Sequence, residues 1–206
     1  MKKLVLLIIV LLVAGLLAYK FLYTKKESQQ VNNEHPLAIG KNSSAFTTAF
    51  GGMLDEYYTM QGALVDWDTV KADQAAYHLS LKADSLPLLQ LKADSDVINT
   101  ARSLAASVSS EAKGLVGEGN IEQKRRAFNM LTDELYTLIR TVRYDGGIIY
   151  HITCPMAFKD SEAASWLSKN DQVINPYLGK SHPVYKAKML GCGEITDSLD
   201  FTKSKK

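Results

Sequence analysis

The sequence lacks the short motifs that mark common catalytic and cofactor-binding sites. It contains no HExxH, GxSxG, P-loop or GxGxxG pattern. Asp133 and Glu134 are adjacent in a predicted helix, so their carboxylates point to different faces and do not form an acid/base pair. We therefore expect no enzymatic activity.

The chain also has little excess of charge. Its 24 Lys and Arg residues nearly balance 22 Asp and Glu residues, and no basic tract occurs away from the ends. This balance argues against nucleic acid as a partner. A length of 206 residues suits one ordinary domain preceded by an anchor.

Cysteine is scarce, with two in the whole chain. Neither belongs to a CxxC, which argues against a thioredoxin-like redox site, and no CxxCH haem attachment motif occurs. Cys154 lies in YHITCPMAF and Cys192 in KMLGCGE, each with a methionine close by. The residues alone leave three interpretations open: a disulfide, a soft-metal site and free thiols.

In the metal interpretation, the ligands are two thiolates and two thioethers, which suit Cu(I). They come from Cys154, Met156, Met189 and Cys192, with His151 and His182 as possible supplements. In an extended strand, His151 and Cys154 would face opposite ways, but a turn at the following proline could bring them together. In the disulfide interpretation, the methionines are ordinary core residues.

Residues 4–23 form an almost unbroken apolar run interrupted by Lys20, with Lys2 and Lys3 before it. About twenty such residues span a bilayer as a helix, which predicts a retained anchor in residues 1–26. The alternative is a cleaved signal peptide, although no Ala-x-Ala follows the run. Residues 27–42 are polar and predict a tether. We expect a single-pass protein of the inner (cytoplasmic) membrane whose domain faces the periplasm.

Four stretches between residues 43 and 144 carry apolar residues at helical spacing, which predicts an antiparallel four-helix bundle. Val70, Tyr77 and Leu81 form the apolar side of the second stretch, so we expect them in the core. Each stretch is preceded by candidate N-cap residues: Ser43 or Ser44, Asp66 or Asp68, Asp94 or Ser95, and Asn120.

Residues 145–200 differ in composition from the helical stretches before them, and they predict a small α+β appendage packed on the bundle. The β-branched IIYHIT predicts a strand, EAASWLS a short helix, and NPYLGKSHP a loop rich in turns. AKMLGCGEI is expected to pair with the first strand. Residues 201–206 are expected to form a frayed tail.

Several linked motifs in this region are similar to those of a bacterial domain-of-unknown-function family, DUF3347. The resemblance spans about residues 44–199, with its specific part in 150–195. The matching residues are Cys154–Pro155–Met156–Ala157, Trp166–Leu167–Ser168, Asn175–Pro176–Tyr177, Met189–Leu190 and Cys192–Gly193.

The resemblance implies a helical domain found alone or fused to CusB-type copper/silver efflux adaptors. It therefore implies binding of Cu(I) or Ag(I) for capture or hand-over to efflux, with an adaptor of that type as partner. Pro155, Trp166 and Tyr177 would shape the metal pocket and exclude water. The alternative function is a non-catalytic structural or protein-interaction module with a Cys154–Cys192 disulfide.

Overall fold

The computed structural model describes residues 40–159 and 161–203. Over these residues the chain forms a bundle of four helices followed by a three-stranded antiparallel sheet. The helices are α1 Ser44–Asp66, α2 Thr69–Asp84, α3 Ser95–Gly117 and α4 Ile121–Val142. The strands are β1 Ile149–Phe158, β2 Glu162–Ser168 and β3 Glu194–Leu199, and short 3₁₀ helices span Leu88–Gln90 and Ala187–Met189.

The predicted membrane anchor lies outside the described residues, as does nearly all of the predicted tether. Within the part of the chain that the structure describes, no helix combines the length and apolarity needed to cross a bilayer.

The starts of the four helices follow the capping pattern of the sequence. The side chains of Ser43, Asp68, Asp94 and Asn120 each accept a hydrogen bond from the backbone N–H three residues later. Such a bond satisfies one of the backbone donors that an α-helix leaves unpaired at its first turn. The predicted helix starts are therefore confirmed.

Helix α2 packs differently from the prediction. Its buried side is made mostly of alanines, whereas Val70, Tyr77 and Leu81 are 66%, 53% and 48% exposed. Because alanine side chains are small, they let α2 lie close to α1 and α3, with which it packs. The expectation that these three larger residues lie in the core is wrong.

The sheet has the order β2-β1-β3, which places β2 at an edge. Two of its backbone N–H groups are satisfied by the helices: Ser165 N donates to Asn129 Oδ1 at 3.0 Å, and Leu167 N donates to Tyr57 Oη at 3.0 Å. The Tyr57 hydroxyl also bonds Thr132 Oγ1 at 2.8 Å. An open strand edge invites unwanted pairing, and α1 and α4 close this one.

Three expectations for the C-terminal region have clear outcomes. The segment EAASWLS, predicted as a helix, is strand β2, because pairing with β1 overrides its local preference. The predicted pairing of the last motif with the first strand is confirmed at Glu194 and Ile195. The predicted frayed tail is wrong at Phe201, which is 1% exposed and accepts a hydrogen bond at 2.9 Å from Gly40 N.

Candidate functional site

Strand pairing sorts the candidate residues onto two faces of the sheet. Ile152 pairs with Trp166, and Cys154 with Ala164, so these four side chains share one face. His151 lies on the opposite face, since successive residues of a strand point in opposite directions. Residues 169–193 are called the cover segment below, and parts of this segment pack on the first face, with Tyr177 against Trp166 and Gly193 beside both Trp166 and Ile152.

Cys154 and Cys192 form a disulfide. Their Cα atoms are 5.7 Å apart, within the usual range for such a bond, and 38 positions separate them in sequence. Cys154 is fully buried on the covered face, and Cys192 is partly buried. Of the three interpretations left open by the sequence, the structure has the disulfide, and neither cysteine is a free thiol.

Glycine is needed beside the bridge because the cover segment approaches the sheet closely there. Gly193 has φ +143°, and a Cβ at this position would lie 2.6 Å from Trp166 Cη2 and 3.3 Å from Ile152 Cγ2. Any other residue would be strained and would push the segment off the sheet. The disulfide and Gly193 together hold the end of the cover segment against the indole ring.

The two methionines lie in the segments that the disulfide joins. Met156 falls in the irregular part of β1 between Cys154 and Phe158, where the register with β2 shifts. Met189 ends the second 3₁₀ helix, and its carbonyl accepts a hydrogen bond from Cys192 N at 3.0 Å. Both side chains are partly buried and pack against the core. The two sulfur-bearing segments are therefore neighbours, as the metal interpretation requires.

His151 does not join the cysteines. Its Nδ1 lies 2.8 Å from Thr196 Oγ1, and its ring centroid is 4.7 Å from that of Tyr136 on α4. Burial lowers the pKa of His151, against the opposing effect of Asp133 and Asp197. The turn at the following proline that would bring this imidazole to Cys154 does not form, because β1 runs through it to Phe158.

His182 lies in the cover segment and belongs to a different neighbourhood. Its Nδ1 accepts hydrogen bonds from the backbone N–H groups of Val184 and Tyr185 at 3.3 and 3.2 Å. Its ring stacks on that of Tyr185 and meets Trp67 edge-on. Among the described residues, no cluster of three or more His, Cys, Asp and Glu side chains is arranged to hold a metal ion.

The three residues expected to shape a metal pocket have different surroundings. Trp166 and Tyr177 are buried and meet edge-on at 6.1 Å, and the Tyr177 hydroxyl donates to the carbonyl of Ser165. Trp166 Nε1 is a buried polar atom without a partner in the described part of the chain. Pro155 is exposed, so it does not exclude water. Ligation of metal by the residues predicted for it stays a prediction, since the disulfide form offers no thiolate.

Asn175 is the residue that organises the cover segment, and it was not among the predicted site residues. It is fully buried, and its Oδ1 accepts from Tyr177 N and Leu178 N at 2.8 and 2.9 Å. Its Nδ2 donates to the carbonyl of Cys192 at 2.8 Å. The Asn-Pro sequence before two apolar residues is a turn signal from which this role could have been inferred.

Arg125 of α4 is the second missed residue. Although it is 4% exposed, its Nε donates to the carbonyl of Pro176 at 2.8 Å and its Nη2 to that of Leu64 at 2.9 Å. The guanidinium carbon lies 4.2 Å from the centroid of the Trp67 ring. Burial lowers the pKa of Arg125 to about 10. This side chain thus ties the cover segment to the end of α1.

The comparisons with known proteins yield a family for the helices. The model of a family described as a protein of unknown function, DUF3347, matches residues 53–146. Over these residues, which make up slightly less than half of the chain, the protein is thus similar to the DUF3347 family. The matched residues run from α1 to the end of the bundle, whereas the motifs on which the resemblance rested lie after them, in 150–195. The match does not show a fusion to CusB-type adaptors, and no curated protein and no solved structure matches the chain.

Proposed function

We propose that this protein is a non-catalytic interaction module of an oxidising compartment, held in shape by the Cys154–Cys192 disulfide. The disulfide is the observation that carries the proposal, because such bonds persist outside the reducing cytosol. The anchor predicted in residues 1–26 fits this location, with the domain on the periplasmic side of the inner membrane.

The exposed side of α2 that carries larger apolar residues is the surface we propose for a protein partner. Val70, Tyr77 and Leu81 lie seven and four residues apart, so they follow one side of the helix, and all three are about half exposed or more. An apolar stripe on the surface of a bundle suits an amphipathic helix of another protein. The partner we propose, from the family resemblance, is a CusB-type efflux adaptor.

A thiol count on protein from the bacterial periplasm tests the proposal. The full chain is purified in detergent with an alkylating reagent present from lysis onward, denatured, and analysed by mass spectrometry before and after reduction. We expect no alkylated cysteine before reduction and two after it. Two alkylated cysteines in the unreduced sample would contradict the disulfide and favour the second candidate.

The second candidate is capture of Cu(I) or Ag(I) by the reduced protein. Its support is that the disulfide partners, with Met156 and Met189 in the same two segments, would place two thiols and two thioethers close together. Opening the disulfide takes two electrons and two protons from a thiol reductant. The metal ion then displaces thiol protons. The role would be metal capture or hand-over to an efflux adaptor.

An anaerobic titration of the reduced full chain with Cu(I), in competition with a chelator, tests this second candidate. We expect one ion per chain, lost in Cys154→Ser and in Cys192→Ser and weakened in Met156→Leu and Met189→Leu. The matched control is Met130→Leu, because Met130 is a 52% exposed methionine of α4. Binding that survives both cysteine substitutions would contradict a shared sulfur site.

A further inference from the structure

A cavity of about 320 Å³ opens where the end of α1, the start of α4 and the end of β1 meet the cover segment. Its wall includes three aromatic rings, those of Trp67, Phe158 and Tyr177. Arg125 and Ile121 of α4 also line it. The volume lies near the lower end of the range for small-molecule sites, about 300–1,000 Å³, and suits one ring with a short chain.

The guanidinium of Arg125, which lines this cavity, has no carboxylate as counter-ion among the described residues. Arg125 is 4% exposed, and its hydrogen-bond partners are the carbonyl oxygens of Pro176 and Leu64, which carry no net charge. Within residues 40–159 and 161–203, no carboxylate lies within ion-pair distance of its guanidinium, and Nη1 has no hydrogen-bond partner. The two carbonyls and the Trp67 ring compensate the buried charge, but no full negative charge lies beside it.

The neighbouring cations show that this situation is particular to Arg125. Lys124 is equally buried but pairs with Asp73 at 2.6 Å. Arg126 pairs with Glu162 at 3.0 Å and also with Glu122, the acidic residue of the cavity wall. Glu122 is 59% exposed, so it remains largely in water. Lys159 also lines the cavity and adds a second positive charge.

We propose that this cavity binds a small aromatic monocarboxylate, with the carboxylate at Arg125 and the ring among Trp67, Phe158 and Tyr177. An arginine is suited to a carboxylate because its planar guanidinium presents several donors, here including the unpaired Nη1. The aromatic walls supply the apolar contact that a ring requires. The same chemistry occurs in a free acid and in a peptide that ends in an aromatic residue.

Isothermal titration of the full chain in detergent with 3-phenylpropionate tests the proposal, with 3-phenylpropionamide as the uncharged counterpart. We expect one acid per chain with a Kd on the order of 1 mM or below. The amide should bind at least about 10-fold more weakly, because it loses the charge-assisted hydrogen bond. Equal affinity for acid and amide, or no saturable binding at tens of mM, would overturn the proposal.

Two substitutions locate the binding. Arg125→Gln should abolish preference for the acid, but loss of its bonds to α1 and the cover segment could also unfold the chain. Ile121→Trp keeps Arg125 and fills the cavity from its half-buried wall position, so it should reduce affinity at least 10-fold. Ile98→Trp is the matched control, a half-buried isoleucine in the first turn of α3. Undiminished binding in Ile121→Trp would show that the acid binds elsewhere.

N-acetyl-phenylalanine and an acetylated dipeptide ending in phenylalanine then distinguish the sources of the carboxylate. Tighter binding of the dipeptide than of 3-phenylpropionate supports the proposal with a peptide C-terminus as ligand. Tighter binding of 3-phenylpropionate than of the dipeptide supports the proposal with a small free acid as ligand. In both cases the titrations are repeated with Ile121→Trp, in which either ligand should be displaced from the cavity.

Discussion

Removing the Cys154–Cys192 bond should destabilise the protein by an amount that follows from its position in the chain. The bridge closes a loop over 38 positions. Loop-closure entropy for a loop of this length gives about 4 kcal/mol at 25 °C. Cys192→Ala is the best single change, because Cys192 is only partly buried and its truncation removes little packing, whereas Cys154 is fully buried.

Urea unfolding followed by circular dichroism measures this loss. We expect the Cys192→Ala variant to be about 4 kcal/mol less stable than the parent, with a midpoint of thermal unfolding lower by on the order of 10 °C. Adding a reductant should bring the parent down to the same value and leave the variant unchanged.

Either of two results would refute the reasoning. A loss below about 1 kcal/mol would mean that the crosslink does not restrict the unfolded chain. A further loss in the variant on adding reductant would mean that the reagent acts by another route. The variant without reductant and the parent with it are thus each other's controls.

Three further changes test the packing of the cover segment and the core. Gly179→Ala should lower the free energy of unfolding in urea by at least about 2 kcal/mol, because Gly179 has φ +60° and a Cβ would lie 2.7 Å from Trp67 Nε1. Gly62→Ala, in open space on α1, should instead stabilise the protein by about 0.5–1 kcal/mol. Equal effects of the two substitutions would contradict the close packing at Gly179. Asn175→Ala should cost about 3 kcal/mol in the free energy of unfolding, because it leaves buried backbone groups unpaired. Asn175→Asp keeps the acceptor for two backbone N–H groups but places a carboxylate against the Cys192 carbonyl, so it should destabilise less at acidic pH, where the carboxyl is protonated, than at neutral pH; no such difference would argue against this role. Burial raises the pKa of Tyr57 above 10, so its contribution to folding is complete below pH 10 and is lost as the pH rises above it. The lowered pKa of Arg125 has the opposite effect on the pH dependence of stability. The free energy of unfolding should therefore fall less steeply with pH, over about pH 9–12, in Tyr57→Phe than in the parent, and identical pH dependence in the two proteins would refute the role of Tyr57.

The helix starts were predictable because capping is local. A cap residue and the backbone N–H that it satisfies are three positions apart, so Ser43, Asp68, Asp94 and Asn120 carry the information by themselves. The buried side of α2 was not predictable in this way. Its alanines are buried because the neighbouring helices lie close, and the period of the larger residues gave the opposite answer.

The candidate site was predictable as a meeting of two segments but not in its details. The presence of two cysteines left a disulfide open among three interpretations, and the structure has it. The helix expected for EAASWLS was wrong because strand pairing is decided by residues distant in sequence. Arg125 was missed for the same reason, since it acts through Leu64, and so was the hydrogen bond from Asn175 to Cys192. The local bonds of Asn175 to Tyr177 and Leu178 could have been inferred from the Asn-Pro turn signal.

The hydrogen bond from Gly40 N to the carbonyl oxygen of Phe201, 2.9 Å long, holds the start of the described chain next to its end. A domain whose two ends meet can be spliced into a surface loop of a host protein through two adjacent junctions, without stretching the host or the guest. The same geometry permits a circular permutant in which a few glycines join these ends and new termini are opened between α2 and α3. Residues 40–203 are thus suited to use as a transferable insertion module.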